Sequence, residues 1–411
     1  MDKSVSVSFD EALRLSLDLA NISLSSEWVS LMEALGRTVA QDIVCQKNLP
    51  SYNNAAMDGF AINYTHKAQT LRIKRRILAG DSVEPCLESG ECYKIMTGAK
   101  VPDDADTIIP FEESLSYNDI SVEIPLHVKQ GNALRLKGEE QAIGSLLIEK
   151  GEVITSSAIA LLASQGITHI EVYRGLKIAV LSTGNELKKP WENASEDEIY
   201  DVNAFALIAL LKEQGFDAHY GGVIPDDLSI ATHYFSTMQA YDVIVTSGGV
   251  SMGEADFVEK ALQSNGFKAS FHGINIKPGK PTMFGVMNQT IVASMPGNPL
   301  AAYVNAFLFL IPLLKKQQGQ KNFNFNCILA LNGADFKVKS GRVNLVLGEL
   351  RQEKFYAYDD NRYGSGMITP LHKTNAIAIC DEETKSIEMG KTVKIVIFKS
   401  LFSKVIASLK N

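Results

Sequence analysis

The sequence predicts a multidomain α/β protein. A central α/β domain holds a parallel sheet, an all-β domain is inserted upstream, a helical linker domain is split around that insertion, and a β-barrel-like domain ends the chain. Three observations carry this prediction. The chain has 411 residues, more than one hydrophobic core usually serves, and that length suggests about two to four domains. Between residues 43 and 144, short β-type runs crowd between Gly, Pro, Asn and Asp. Between residues 176 and 321, apolar strand-like runs alternate with amphipathic helical ones, the pattern of a parallel sheet covered on both faces.

The elements follow in order. SFDEALRLSLDLA sets Ser8 before an apolar pattern of helical period, with Glu11 three residues later, the signature of a capping box. SSEWVSLMEALGRTVA continues as a second helical pattern. Then the texture changes, and DGFAIN, ECYKIM, DTIIPF and ISVEIPL read as strands of the insertion. SSAIALLASQG returns to helix, so residues 1–42 and 145–175 are expected to form one linker domain around the β domain at 43–144. In the third region, LKIAVLSTG, FDAHYGGVI, YDVIVTSGG and TIVASMPGNP read as strands. DVNAFALIALLKEQG (closed by Gly215), DLSIATHYFSTMQA, GEADFVEKALQSNG and LAAYVNAFLFLIPLLKK read as their helices, giving an α/β domain at 176–321. NCILALNG, NAIAIC and KTVKIVIF return to short alternating strands, as a small barrel at 322–411 would.

Composition narrows the classes of function. A hydrophobic fraction of 45% and a charged fraction of 21% are those of a globular protein in water, and 40 basic against 47 acidic residues (net charge −7) argue against nucleic acid as a partner. No apolar leader is visible in residues 1–10, and AFLFLIPLL at 306–314 is too short to cross a bilayer, so no membrane partner is expected. The 5 cysteines, Cys45, Cys86, Cys92, Cys327 and Cys380, have neither C-x-x-C nor metal-finger spacing; they read as reduced packing residues of a cytoplasmic protein.

In an open α/β sheet, ligands bind at the C-terminal ends of the strands. Those turns are loaded here: STGNEL with Glu186, IPDD with Asp226 and Asp227, TSGGVSMGEADF with Gly248, Gly249, Glu254 and Asp256, and SMPGNP. Each feature has an ordinary reading, since acidic residues suit helix starts and glycines make turns. Four such turns on one sheet edge converge in space. Their Gly-rich backbone donors suit an anion, and the carboxylates beside them suit a hard divalent cation such as magnesium. A further stretch, INIKPGKPTMFG, sets Lys277 and Lys280 on a turn stiffened by Pro278, Gly279 and Pro281. Alone it also suits a solvated surface loop. Phosphate, metal and lysine together are the means of phosphoryl cleavage or transfer.

MDGFA, MTGAKVPDDADTII, LSTGNEL, IYDVN, VTSGGVSMGEADF, IKPGKP and MPGNP, in that order, resemble the molybdopterin molybdenumtransferases, the MoeA and gephyrin E-domain family. The resemblance implies a molybdopterin-binding-like α/β domain and a transferase of molybdenum cofactor biosynthesis. Such an enzyme takes adenylylated molybdopterin and molybdate, inserts molybdenum at the pterin's dithiolene sulfurs and releases AMP with magnesium. It implies further that Lys277, Lys280 and Pro281 form the molybdate site, with Arg342 (SGRVN) and Ser365 (YGSGM) from the C-terminal domain. A tetrahedral dianion needs fixed positive charge, and compact ammonium groups on a rigid turn provide it.

The other implied positions are Asp58 and Thr97 in the β insertion, and Glu186, Asp226 and Asp256 on the α/β loops. Those last three are candidates to hold magnesium on the pyrophosphate. Gly248, Gly249 and Ser251 would cradle a phosphate or the pterin, Pro296 and Pro299 shape the last loop, and Arg135 opens a further family motif. The resemblance implies a homodimer in which Asp58 and Thr97 complete a site on the partner subunit, and makes the molybdopterin adenylyltransferase an expected partner. No Ser–His or Cys–His pair is apparent, and His169, His219, His233 and His272 read as ordinary histidines, so water or a molybdate oxygen is the expected attacking group. Three positions depart from the family: Glu140 stands for Asp, Ala301 for the serine of some members, and Leu347 where a second arginine is expected. A dimeric scaffold of the gephyrin E-domain type, and the adenylyltransferase itself, are the rival readings.

Overall fold

The computed structural model describes residues 6–21, 24–125, 127–250 and 257–399. Helix α1 (Phe9–Asp18) starts where the Glu11 amide donates to the Ser8 hydroxyl at 3.2 Å. The reciprocal half of the capping box is replaced by an ion pair, Glu11 with Arg14 at 2.7 Å. Phe9 and Ala12 pack into the core of the α/β domain, where the Phe9 ring lies 5.3 Å from Phe309. The second expected helix is instead a strand, β1 (Ser26–Ser30), and a 3-10 turn, Leu31–Glu33. Its partner across the insertion decides this: Ser26–Ser30 pairs antiparallel with His169–Tyr173, and an extended Trp28–Val29 fits that ladder.

The insertion holds β2 (Gly59–Ile62), β3 (Thr70–Ile77), β4 (Glu91–Ile95), β5 (Thr107–Pro110), β6 (Ser116–Tyr117) and β7 (Ser121–Glu123) in one sheet, ordered β5-β2-β4-β3-β7-β6. Alternation sends Ala61, Tyr93, Ile95 and Ile108 to one apolar cluster, and Phe60, Ile62, Cys92 and Ile109 to another. Helix α2 (Ser156–Ser164), capped by Thr155, and β8 (His169–Tyr173) follow. Leu162, Ile170 and Val172 share a cluster with Ala34 and Val39 from before the insertion.

The α/β domain comprises β9 (Ile178–Thr183), α3 (Val202–Glu213), β10 (Ala218–Ile224), α4 (Leu228–Ser236), β11 (Val243–Ser247), α5 (Phe257–Ser264), β12 (Phe267–His272), β13 (Ile276–Lys277), β14 (Met283–Met287), β15 (Thr290–Met295), α6 (Pro299–Asn305) and α7 (Ile311–Gln317). The sheet order is β10-β9-β11-β15-β14-β12. The first four strands are parallel; β14 and β12 are antiparallel additions at the edge. The two-residue turn at Asn288 and Gln289 compels this, with Asn288 at φ +58, since so short a link joins only antiparallel strands. Ile178, Val180, Val243 and Val245 face one cluster, while Ala179, Leu181 and Ile244 face the other, so both faces are covered.

Helices α6 and α7 join through a π-helical turn, Ala306–Leu310. The apolar run at 306–314 is therefore part of one helix, Pro299–Gln317, long and apolar enough to span a bilayer by length and composition. It is 78% buried inside the protein, where its apolarity is used in packing the core.

β16 (Cys327–Asn332), β17 (Val343–Arg351), β18 (Lys354–Ala357), β19 (Ala376–Cys380) and β20 (Thr392–Ile397) close into a barrel in the order β17-β18-β16-β20-β19, with β19 pairing back to β17. Ala330, Val346, Phe355 and Ile395 pack in one of its apolar clusters. Strand β13 leaves the α/β domain to pair with the edge of β17, Lys277 opposite Asn344. All the cysteines are free; Cys45, Cys92 and Cys380 are buried, whereas Cys86 and Cys327 are exposed and so are not packing residues.

Candidate functional site

Parallel strands β10, β9, β11 and β15 bring their C-terminal ends to one sheet edge. Past β9, Gly184 has φ +143, and a Cβ there would lie 2.6 Å from the carboxylate of Glu186, which folds over the glycine. Past β10, the Asp226 amide donates to the Asn185 side chain at 3.1 Å, tying the first two loops together. Past β11, Gly248 and Gly249 take φ +88 and +64, and Cβ atoms there would press on Thr183 at 2.8 and 2.9 Å. Past β15, Asn298 precedes Pro299 at the first turn of α6. Glu186, Asp226, Gly248, Gly249 and Pro299 line one cavity of about 1150 Å³.

A second cavity, of about 430 Å³, is lined by Lys277, Lys280, Arg342 and Ser365. The pairing of β13 with β17 builds it, because it sets Lys277 beside the strand that Arg342 precedes. Among its described lining residues there is no Asp or Glu. Three cationic side chains around one hollow, with no carboxylate among the described lining residues, suit an anion.

A third cavity, of about 330 Å³, has lining residues in common with both. It shares Gly248 and Gly249 with the first and Gly279 with the second, and Pro281, Pro296 and Ala301 complete its wall. A partition separates the outer chambers: the Asn298 amide donates to the Ser365 hydroxyl at 2.9 Å, and the Leu300 N–H to the Ser365 carbonyl at 3.2 Å.

Several residues in this arrangement drew no attention in the sequence. The Asn203 amide donates to Ser247 Oγ at 2.7 Å and to the Gly297 carbonyl at 2.8 Å, clamping the S-G-G turn to the P-G-N-P turn. Buried Asp201 caps α3 by accepting from the Ala204 amide at 3.1 Å, and also accepts from Ser182 Oγ at 2.8 Å and from the Tyr220 hydroxyl at 3.2 Å. Burial, with the Asp201 charge second, pushes the Tyr220 hydroxyl well above its usual range. Asp201 and Asn203 both lie in IYDVN, where an N-cap Asp before an apolar helix was a readable signal.

The remaining expected site residues lie elsewhere. Asp58 and Thr97 are joined in the β insertion, where Asp58 Oδ1 accepts from the Thr97 hydroxyl at 2.6 Å and its amide at 2.7 Å. These two bonds, with lesser help from Arg76, hold the Asp58 carboxyl below its ordinary value. Arg135 sits in a two-residue strand opposite Asn54. None of the three lines any of the three cavities. Ser251 and Asp256 lie outside the described residues. Glu140 also lines none of the cavities, and Ala301 lines the third; Leu347 lines none of them and is fully buried, its backbone amide donating to the Tyr363 hydroxyl at 2.6 Å, so a charged arginine would be buried at that position.

Among the described residues, no three of His, Cys, Asp and Glu gather closely enough to hold a metal by themselves. Magnesium asks less than that: it takes one or two carboxylates and completes its shell with phosphate oxygens and water. Glu186 and Asp226, on one cavity beside glycine amides, are a donor set of that kind.

Fold and site together define a class: chains in which a molybdopterin-binding type of α/β domain lies between a split β-rich region and a terminal barrel, with an acidic and a cationic chamber side by side. In keeping with this, residues 7–166 match the MoeA N-terminal region (domain I and II), 179–316 the probable molybdopterin binding domain, and 330–398 the MoeA C-terminal region (domain IV). A molybdopterin molybdenumtransferase of Haemophilus influenzae is 32% identical over 405 residues, covering 96% of this chain and 99% of that one. A gephyrin of Dictyostelium discoideum is 28% identical, with 94% of this chain and 62% of that one covered. The crystal structure of the molybdopterin biosynthesis moeA protein of Pyrococcus horikoshii superposes with a TM-score of 0.83 at 26% identity, over 96% of this chain and 100% of that one. The chain belongs to the molybdopterin molybdenumtransferase family.

Proposed function

We propose that this chain is a molybdenum insertase: it takes adenylylated molybdopterin and molybdate, transfers molybdenum to the dithiolene sulfurs and releases AMP. The observation that carries this reading is the adjacency of the chambers. A carboxylate- and glycine-lined cavity and a cationic one, which has no carboxylate among its described lining residues, both border a third cavity, at Gly248 and Gly249 on one side and Gly279 on the other. The first suits the adenylylated pterin: the Gly249 N–H would face a phosphate, whereas the Gly248 N–H already donates to the Met295 carbonyl at 3.2 Å, and Glu186 and Asp226 would hold magnesium. Magnesium there would neutralise charge on the phosphates. The second suits molybdate, with Lys277, Lys280 and Arg342 matching its charge and Ser365 donating a hydrogen bond. In the reaction a phosphoanhydride P–O bond breaks, AMP leaves with the bridging oxygen, and an oxygen of water or molybdate takes its place on phosphorus. Asp58 and Thr97 enter the reading through a homodimer, each subunit's β insertion completing the partner's site. The enzyme is read as cytoplasmic, where Cys86 and Cys327 would stay reduced, and as receiving its substrate from the molybdopterin adenylyltransferase.

One assay tests this reading. Purified protein is incubated with adenylylated molybdopterin and magnesium, with and without molybdate, and AMP and active cofactor are followed. Molybdate-dependent AMP release with cofactor formation is the expected result. Binding without turnover would favour a scaffold, and adenylylation of free molybdopterin would favour the adenylyltransferase.

A further inference from the structure

The lysine turn between the two cationic side chains is not held by its own residues alone. Gly279 has φ +100, and its carbonyl oxygen accepts from the side-chain amide of Asn305 at 2.9 Å and from the Thr282 hydroxyl at 2.9 Å. The same Asn305 amide donates to Thr282 Oγ1 at 2.6 Å, which closes a three-membered relay. A carbonyl oxygen can only accept, so the amide nitrogen of Asn305 must face Gly279. Asn305 and Thr282 are both fully buried, and Asn305 lines none of the three cavities. It is the last residue of α6, immediately before the π-helical turn, and such wide turns recur at functional positions.

We infer that Asn305 is a positioning residue for the cationic chamber: by gripping the Gly279 carbonyl it sets the orientation of the peptide that leads into Lys280, and so where that lysine carries its charge. The inference rests on the reading of this chamber as the molybdate site. Its physical basis is the flatness of the peptide unit. With the Gly279 oxygen drawn inward to α6, the partial negative charge of that carbonyl is kept away from the anion, and the Lys280 N–H, trans to it, points away from Asn305. Released, a glycine at this position has many other conformations available, and the carbonyl could rotate into the chamber. Asn298, the cap of α6, holds Ser365 through its side-chain amide, so residues at the start of the Pro299–Gln317 helix and about two turns into it brace two parts of the chamber wall.

The test is calorimetric titration of sodium molybdate into the full-length chain, with AMP as the probe of the first cavity and the unfolding midpoint as the control for folding. Lys277→Ala is the reference. If the wild type binds no molybdate, or Lys277→Ala leaves binding unchanged, the reading of the chamber fails. Given a wild type that binds, Asn305→Ala and Thr282→Val are each expected to weaken molybdate binding about tenfold and to leave AMP affinity within about twofold. Thr282→Ser should restore wild-type binding, and the double variant should lose less than the product of the two single losses, as members of one relay do. Thr282→Val replaces a hydroxyl by a methyl of similar size and decides the matter if Asn305→Ala does not fold. Folded variants that bind molybdate within about twofold of wild type, or that lose molybdate and AMP equally, would overturn the inference.

Discussion

Gly279 has two independent reasons to be glycine. Its φ of +100 is costly for any residue with a side chain, and a Cβ there would overlap the Asn305 amide. Gly279→Ala should therefore lower stability by about 2 kcal/mol or more, read as a drop in the unfolding midpoint. Lys277→Ala removes a charge from the cationic chamber and nothing from the core, since Lys277 is exposed; it should raise the molybdate concentration needed for AMP release and leave the unfolding midpoint unchanged. At Asp58 the expectation concerns pH. Its folded-state carboxyl lies below the ordinary value, first because of the Thr97 hydroxyl and then the Thr97 amide. The pair's contribution to stability is thus present above the unfolded pKa and is lost as pH falls through the folded one. Thr97→Val should move the Asp58 titration, followed by NMR, up toward the usual carboxylate range; an unmoved titration would dismiss the hydroxyl as its cause. Lys277, Lys280 and Gly279 were legible in the sequence as a stiff cationic turn. Asn305, 26 residues away from Gly279, was not, because an Asn inside an apolar helix reads only as a weak helix former.

Helix α3 shows how an element can carry a site. Asp201 caps it while also receiving Ser182 and Tyr220, and two residues later Asn203 clamps two ligand-facing turns. Asp201→Ala strips the cap and leaves buried donors unpaired, a cost of about 2 kcal/mol that a lowered unfolding midpoint would report. An unchanged midpoint would mean that the cap contributes nothing net. The period of the apolar residues was enough to read α1, α2, α3 and the buried strands. It misread Ser26–Ser30, where Trp28 and Val29 suit a helix face as well as a strand and the partner lies more than a hundred residues on. It also passed over β12 and β14, the antiparallel pair added at the sheet edge, although Asn288 marked the turn from β14 into β15.

At the scale of the whole molecule, β13 matters out of proportion to its length. Two residues, Ile276 and Lys277, stitch the α/β domain to the barrel and so bring Arg342 and Ser365 to the lysine turn. At the same scale, Asp58 lines none of the cavities formed with Glu186, Gly248 or Lys277. Under the proposed homodimer, Asp58→Asn and Glu186→Gln, each inactive alone, should regain part of the AMP-releasing activity when mixed, because one site of each heterodimer is then intact. Absence of recovery after demonstrated subunit exchange would reject the shared site. By itself, the sequence determined the family, the four parallel strands of the α/β domain and the helices after them, and the chemical character of each loop, because these depend on neighbours within a turn or two of the chain. Only the tertiary structure decided that the cationic and acidic chambers border the same third cavity through glycines, and that Asn203, Asn298 and Asn305 brace the turns around it. Those contacts join residues distant in sequence, and no local pattern of hydrophobicity or turn chemistry encodes them.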